Sequence, residues 1–165
     1  MKYFKLFILL FAINACTPEK IEPTTYYLIR HAEKDRSNKE NRNPDLNTKG
    51  LERAKKWAKV FQNVDFDMVY STNYNRTKQT ATPTARNNKL EVVMYDPSNM
   101  YTEDFQKATK GKTVLIVGHS NTTPQFVNKI LEEEKYKDID DLNNANLYVV
   151  TIINDVKNSS LLKVD

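Results

Sequence analysis

Cysteine is nearly absent from this chain of 165 residues, since Cys16 is the only one. Without a second cysteine the chain forms no internal disulfide, and the position of Cys16 argues against a catalytic thiol. An excess of one charge is also missing. The formal net charge is +4, and it falls to about +2 once Lys2 and Lys5 are set aside with a removable N-terminal segment. So small and interspersed a balance gives no support to nucleic-acid binding, and we expect none.

Long hydrophobic runs are missing as well. Residues 6–13 are apolar, but this stretch is far shorter than the roughly 20 residues that a membrane-spanning helix needs. It follows Lys2 and Lys5 and precedes Ala15 and Cys16, an order that predicts an export signal and not part of the fold. The end of this segment resembles a bacterial lipoprotein lipobox, in which Cys16 would be lipidated and become the new N-terminus. The alternative is an ordinary cleaved signal with an incidental cysteine, and both readings predict export.

The sequence therefore predicts three segments. Residues 1–15 are expected to be a lipoprotein signal peptide, and residues 16–23, with two prolines, a short tether. Residues 24–165 are long enough for one domain with a sizeable core. We expect this domain to lie on the periplasmic or cell-surface side of a membrane, anchored through Cys16.

A short β-branched and aromatic run at residues 24–29 predicts a buried strand. It ends abruptly in Arg30, His31, Ala32 and Glu33, which have no reason to lie in a core. Open α/β sheets usually present a site at the C-terminal ends of their strands. We therefore expect His31 to be a nucleophile and Arg30 to be part of an anion pocket.

Strand and helix patterns alternate along the rest of the chain. This alternation predicts a three-layer α/β/α domain with a mostly parallel sheet, closed by an antiparallel hairpin at the C-terminus. The further predicted strands are 66–71, 90–95, 112–118, 146–153 and 159–164, and the predicted helices are 48–62, 72–81 (capped near Asn73 and kinked or ended by Pro83), 102–109 and one that opens near Pro124.

The second histidine, His119, follows the strand at 112–118 just as His31 follows the first strand. In a parallel sheet these ends lie at one edge, so the two rings can converge. Gly118 removes a Cβ there and allows close approach to the backbone. Arg76 falls in the first turn of a predicted helix, where the macrodipole disfavours a cation unless it holds an anion. Arg30, Arg76 and His119 together offer several donors to a tetrahedral dianion.

Four ordered signatures give the chain a resemblance to the histidine phosphatase superfamily, the phosphoglycerate mutase-like group. Residues 30–33 resemble its Arg-His-Gly motif, and residues 71–81, with Arg76, its second-arginine motif. Residues 117–120, with His119, resemble its second-histidine motif, and residues 46–54 the start of its first helix. The resemblance is closest to the compact branch of phosphohistidine phosphatases.

The chain departs from the family pattern at several positions. Ala32 replaces Gly, and Arg53 replaces Gln at a position that we expect on the helix surface. Ester-cleaving members commonly carry a Glu after the third strand as the general acid, and that place falls near Met100, which carries no proton. Asp96 and Glu103 are the nearest acidic residues and weak candidates for the role.

The resemblance implies a histidine acid-type phosphatase. His31 would attack phosphorus and become phosphohistidine, while Arg30, Arg76 and His119 hold the phosphoryl oxygens. Neither a cofactor nor a metal is expected, because two histidines without clustered carboxylates make a poor hydrolytic metal site. The expected partner is a phosphorylated small molecule or phosphoprotein, as a phosphomonoester or phosphoramidate.

Two other functions stay open at this point. One is a non-catalytic lipoprotein that binds phosphate or a phosphorylated ligand, which the unassigned acid would suit. The other is mutase activity, which we rank lower because only short elements lie between Arg76 and His119, where mutases carry a longer insertion. A small open site should lose its phosphoryl group to water.

Overall fold

The structure is a computed structural model that describes residues 22–164. The predicted signal peptide, Cys16 and most of the predicted tether lie outside the described residues. Within the described part of the chain, no helix is long and apolar enough to cross a membrane. The elements in chain order are β1 (Thr24–Arg30), α1 (Thr48–Val60), β2 (Met68–Ser71), α2 (Asn75–Asn87), β3 (Val92–Met94), α3 (Glu103–Thr109), β4 (Thr113–Gly118), α4 (Thr122–Leu131), β5 (Asn146–Ile153) and β6 (Val156–Lys163).

The six strands form one sheet in the order β3-β2-β4-β1-β5-β6. The first four are parallel to one another, whereas β5 runs antiparallel to β1 and β6 antiparallel to β5. The predicted mostly parallel sheet with an antiparallel C-terminal hairpin is thereby confirmed. Since β4 lies between β1 and β2, the C-terminal ends of these three strands are neighbours.

Successive side chains of the strands point to opposite faces of the sheet and contribute to two separate cores. In β1, Tyr26 and Leu28 pack with Phe126 of α4 on one face of the sheet. On the other face Ile29 packs with Trp57 of α1 and with α2. The helices therefore cover both faces, which confirms the three predicted layers. A strand that is apolar on both sides is the usual mark of a buried parallel sheet.

The predicted bounds of α2, residues 72–81, are wrong at both ends. The helix continues past Pro83 to Asn87, so the proline does not end it. A proline inside a helix lacks one N–H group, but here α2 is held by packing against α1 and the sheet. The residue at the N-cap is Tyr74, without a side-chain cap, whereas Asn73 accepts a hydrogen bond from the Lys78 side chain.

Candidate active site

The ends of β1 and β4 place the two histidines side by side. Arg30 pairs with Gly118 in the sheet, and the next residue along, His31, donates its backbone N–H to the Gly118 carbonyl at 2.9 Å. His119 follows Gly118 on the neighbouring strand. The two imidazole rings are 5.5 Å apart between centroids and inclined by 69°. The convergence expected at one edge of the sheet is therefore observed.

The His31 side chain is buried, with 4% of the residue exposed. Its Nδ1 lies 2.7 Å from the Ala32 carbonyl oxygen. A carbonyl only accepts, so Nδ1 carries the proton and the neutral ring keeps Nε2 free of one. Burial, together with the nearby cations Arg30 and Arg76, lowers the pKa of His31 to about 3. The ring is thus neutral at physiological pH, and the lone pair of Nε2 is available for bonding.

Neighbouring elements hold the backbone around His31 in place. Asn144, which precedes β5, donates its amide to the His31 carbonyl at 2.8 Å. The N–H of Ala32 donates to the Thr80 hydroxyl at 2.9 Å, and that hydroxyl donates to the Arg76 carbonyl at 2.7 Å. The carbonyl that orients the His31 ring is therefore tied to helix α2. Ala32 itself is completely buried, which explains why a small residue is needed there.

A chain of hydroxyl groups orients His119. Its Nδ1 lies 3.4 Å from Nη2 of Arg76, which only donates, so the neutral ring carries its proton on Nε2. That Nε2–H donates to the Thr72 hydroxyl at 2.9 Å, and Thr72 donates to Thr77 at 3.0 Å. Burial first, and then the charge of Arg76, lowers the pKa of His119 to about 4. The acceptor nitrogen of this ring thus faces the arginine.

The Arg30 side chain is only 2% exposed and lies against the loop between α4 and β5. Its Nη1 donates to the carbonyls of Asp140 at 2.8 Å and Asn143 at 3.0 Å. Its Nη2 donates to Oδ1 of Asp141 at 2.8 Å. Arg76 stacks its guanidinium 4.4 Å from the centroid of the Tyr74 ring. Both arginines are thus held by neighbours on one side.

The Nε atoms of Arg30 and Arg76 are buried and have no hydrogen-bond partner in the described part of the chain. A buried donor without a partner costs about 1–3 kcal/mol. An anion bound between the two arginines would supply acceptors to this pair of charged groups. This observation fits a phosphate site better than a structural role for both cations.

A cavity of about 360 Å³ joins these groups. Its walls include Arg30, His31, Arg76, His119, Asp141 and residues 120–122 at the N-terminus of α4. Cationic side chains and the N-terminal end of a helix both favour an anion. A second cavity, of about 310 Å³, also borders His31 and Asp141 and extends past Lys34 to the start of α1.

Gly118 is required by packing beneath this cavity. A Cβ at this position would lie 2.8 Å from the Thr123 hydroxyl and 3.0 Å from the Tyr95 hydroxyl. The groups that approach the backbone are thus side chains of the fold. Thr122 adds a further contact, since its hydroxyl accepts the His119 N–H at 3.0 Å.

The candidates for a general acid do not line the cavities next to His31. Met100 is buried in the core on one face of the sheet. Asp96 is exposed and accepts hydrogen bonds from Ser98, which hold the pKa of its carboxyl below the usual range. Glu103 is exposed and lies 3.7 Å from Lys107. Neither Asp96 nor Glu103 borders the two cavities next to His31.

The expected surface position of Arg53 is wrong. Its side chain is 17% exposed, and its Nε lies 3.0 Å from both carboxylate oxygens of Glu33. The Arg-for-Gln replacement therefore ties α1 to the segment that carries His31.

In the loop after β1, Lys34 borders both cavities and Arg36 pairs with Asp141.

Sequence reasoning missed the roles of Thr72, Thr80, Asn144 and Asp141, although Thr80 lies in the stretch that resembles the second-arginine motif. The position of Thr72 could have been predicted, because it directly follows β2 at the same edge of the sheet as the histidines. Asn144 and Asp141 lie in a polar stretch whose sequence gives no indication that it folds over Arg30. Among residues 22–164 no group of three or more His, Cys, Asp or Glu side chains could hold a metal ion.

Comparison with known proteins gives one family match. The family model described as histidine phosphatase superfamily (branch 1) matches residues 26–97, a range that contains Arg30, His31 and Arg76. None of the curated protein sequences matches the chain.

Solved structures share the fold at low sequence identity. A phosphoserine phosphatase variant from Entamoeba histolytica, bound to phosphoserine, has a TM-score of 0.64 at 17% identity, over 83% of this chain and 95% of that chain. SixA from Agrobacterium tumefaciens, a candidate phosphohistidine phosphatase, has a TM-score of 0.61 at 21% identity, over 84% and 97%. A phosphoglycerate mutase from Bacillus anthracis has a TM-score of 0.65 at 15% identity, over 86% and 93%. Phosphatases and a mutase thus share this fold.

Proposed function

We propose that this chain, whose residues 26–97 match the model of the histidine phosphatase superfamily (branch 1), is a phosphatase that works through a phosphohistidine on His31. The observation that carries the proposal is the His31 tautomer. Nδ1 is committed to the Ala32 carbonyl, so the lone pair of Nε2 is available beside Arg30, Arg76 and His119. A neutral imidazole in an anion pocket is suited to attack on phosphorus.

The reaction proceeds in two steps. The lone pair of His31 Nε2 forms a bond to phosphorus as the bond to the leaving group breaks, and the leaving group departs with the electron pair. Water then attacks the phosphohistidine, the P–N bond breaks with its electron pair returning to Nε2, and a proton of the water passes to an oxygen of the product phosphate. Arg30 and Arg76 stabilise the charge on the phosphoryl oxygens in both steps.

Protonation of the leaving group limits the substrates. The carboxylates on the walls of the two cavities are Glu33, held by Arg53, and Asp141, held by Arg30 and Arg36. Neither is a free acid. This favours leaving groups that depart without a strong acid, such as an aryl oxide or the protonated imidazole of a phosphoramidate. Similarity to a candidate phosphohistidine phosphatase supports the same preference.

Two alternatives use the same pocket. A non-catalytic phosphate-binding lipoprotein is favoured because neither carboxylate on the walls of the two cavities is free to protonate a leaving group. Mutase activity is supported only by the shared fold. It ranks lowest because the segment from Arg76 to His119 contains only the rest of α2, β3, α3 and β4. This segment contains no insertion long enough to cover the site and keep water from a phosphohistidine.

The decisive experiment measures phosphate release from 4-nitrophenyl phosphate. We expect His31→Ala to lower the rate to about one thousandth of the wild-type rate or less, because the nucleophile is gone. Lys39→Ala, in the exposed loop after β1, is the matched control and should keep wild-type activity. The wild-type protein should also take up an acid-labile phosphoryl label that the His31→Ala variant does not.

Each alternative predicts a different result. Turnover that survives in His31→Ala contradicts the role given to His31. Binding of inorganic phosphate by the wild-type protein without any turnover between pH 4 and pH 9 would identify the non-catalytic binding protein instead.

A further inference from the structure

Asp141 is a carboxylate on the wall of a pocket that otherwise attracts anions. Its Oδ1 lies 2.8 Å from Nη2 of Arg30, and its Oδ2 lies 2.8 Å from Nη1 of Arg36. The side chain is 62% exposed and borders both cavities next to His31. These two arginines hold the pKa of Asp141 at about 2. The carboxylate is therefore charged at neutral pH and does not donate a proton.

Arg30 does not depend on Asp141 for its position. Its Nη1 is held by two backbone carbonyls, those of Asp140 and Asn143, which no change of the Asp141 side chain removes. The loop thus supplies two kinds of contact to the same guanidinium. The two carbonyls orient the Arg30 guanidinium. The Asp141 carboxylate adds a negative charge that is not needed to orient it.

That negative charge competes with a bound phosphate. A guanidinium has five N–H groups. In Arg30 two are used by carbonyls and one by Asp141, which leaves the Nε–H, buried without a partner, and one hydrogen on Nη2. A dianion that takes these two comes close to a carboxylate on the same guanidinium, and like charges at such distances repel strongly.

Building on the proposed function, we propose that Asp141 is a built-in competitor for Arg30 that weakens the hold of the pocket on inorganic phosphate. The Asp141 carboxylate pairs with the Arg30 guanidinium while the pocket is empty, and it forms this ion pair again as phosphate leaves. Product therefore leaves an open site that two arginines would otherwise keep occupied. Arg36, at the surface, keeps the Asp141 side chain beside the pocket during this exchange.

Calorimetric titration of the purified protein with inorganic phosphate at pH 7.5 tests this role. We expect Asp141→Asn to bind phosphate about tenfold more tightly than wild type, because one negative charge is removed near the dianion. Inhibition of 4-nitrophenyl phosphate hydrolysis by added phosphate should strengthen by a similar factor. Asp141→Ala should show the same gain, since the effect depends on the charge. Asp138→Asn, an exposed acid in the same loop, should bind phosphate like wild type.

Binding and turnover separate this role from the proposed function. If the wild-type protein hydrolyses the ester but neither Asp141 variant binds phosphate more tightly, the competitor role is wrong and the phosphatase stands. If no ester is hydrolysed and both variants still bind phosphate more tightly, the phosphatase is wrong and the competitor role stands. Weaker binding in folded Asp141→Asn would show that the carboxylate supports the pocket, which also overturns the proposal.

Discussion

At the scale of single residues, the site depends on two imidazoles that are both neutral but carry their protons on different nitrogens. The proton of His31 is on Nδ1 because a carbonyl accepts it, and that of His119 is on Nε2 because Thr72 accepts it. Each ring therefore has one nitrogen without a proton. Under the proposed function His31 uses that nitrogen as the nucleophile, whereas the corresponding nitrogen of His119 lies 3.4 Å from Nη2 of Arg76.

The buried neutral His31 makes folding stability depend on pH. Its pKa is about 3 in the folded protein and about 6.5 in an unfolded chain. Between these values the unfolded state binds one more proton, so stability is lost as pH falls below about 6.5. From pH 6 to pH 4 we expect this residue to lower the free energy of unfolding by about 1.4 kcal/mol per pH unit.

Urea unfolding of wild type and His31→Asn, in buffer free of phosphate, measures this contribution. The difference in unfolding free energy between the two proteins should be constant above pH 7, where the histidine is neutral in both states. As pH falls from 6 to 4, the unfolding free energy of wild type should decrease more than that of His31→Asn. Equal slopes in that interval would mean that His31 is protonated in the folded protein.

The sequence could predict the residues that lie at strand ends but not those that support them. Arg30, His31 and His119 are placed by two strands whose patterns are clear, and parallel strands share an edge. Thr80 and Asn144 act through contacts of 48 and 113 residues in sequence separation. No local pattern marks such partners, because their roles arise only when α2 and the loop before β5 pack on the same backbone.

At the scale of elements, helix α1 is docked on the segment that follows β1. A Cβ on Gly50 would lie 2.1 Å from the Glu33 carbonyl oxygen. The same oxygen accepts the Asn47 N–H at 3.0 Å, and Arg53 holds the Glu33 carboxylate. The first turn of α1 therefore approaches the His31 segment closely only because residue 50 has no side chain.

Gly50→Ala tests this docking, because helix propensity alone predicts the opposite sign. In an open helix interior, alanine is favoured over glycine by about 1 kcal/mol. Here we expect the variant to be destabilised by about 2 kcal/mol, as for other overpacked sites. Glu52→Ala, exposed two residues further on, should change stability by less than about 0.5 kcal/mol. Chemical denaturation measures the unfolding free energies of both variants. A Gly50→Ala variant more stable than wild type would contradict the docking.

Element bounds show where periodicity is sufficient and where it is not. Strand β1 and helix α1 begin at the predicted residues, because their apolar patterns are long and regular. The end of α2 was wrong because packing keeps residues beyond Pro83 helical, which the local cost of a proline does not reveal. Likewise, the acids Asp96 and Glu103 follow β3 in sequence, yet neither lies on the wall of the two cavities next to His31, although Pro97 does.

At the scale of the whole molecule, β1 connects the N-terminal segment to the site across the full sheet. It enters at Thr24 and delivers Arg30 to the pocket, a distance of about 20 Å at the usual rise per residue. Cys16 is eight residues before Thr24, so it reaches at most about 28 Å from the start of the strand. An anchor at Cys16 would thus attach the domain at the N-terminal end of β1, opposite the end that carries Arg30.

Lipid anchoring at Cys16, which we propose from the sequence, should therefore control location without affecting catalysis. We expect the full-length protein made in bacteria to enter the detergent phase on partitioning, since each buried CH₂ group of an acyl chain contributes about 0.8 kcal/mol. Cys16→Ala should move to the aqueous phase with kcat/KM for 4-nitrophenyl phosphate within about twofold of wild type. Equal partitioning of both proteins would contradict the anchor. Loss of activity in the folded Cys16→Ala variant would contradict an anchor that serves location alone.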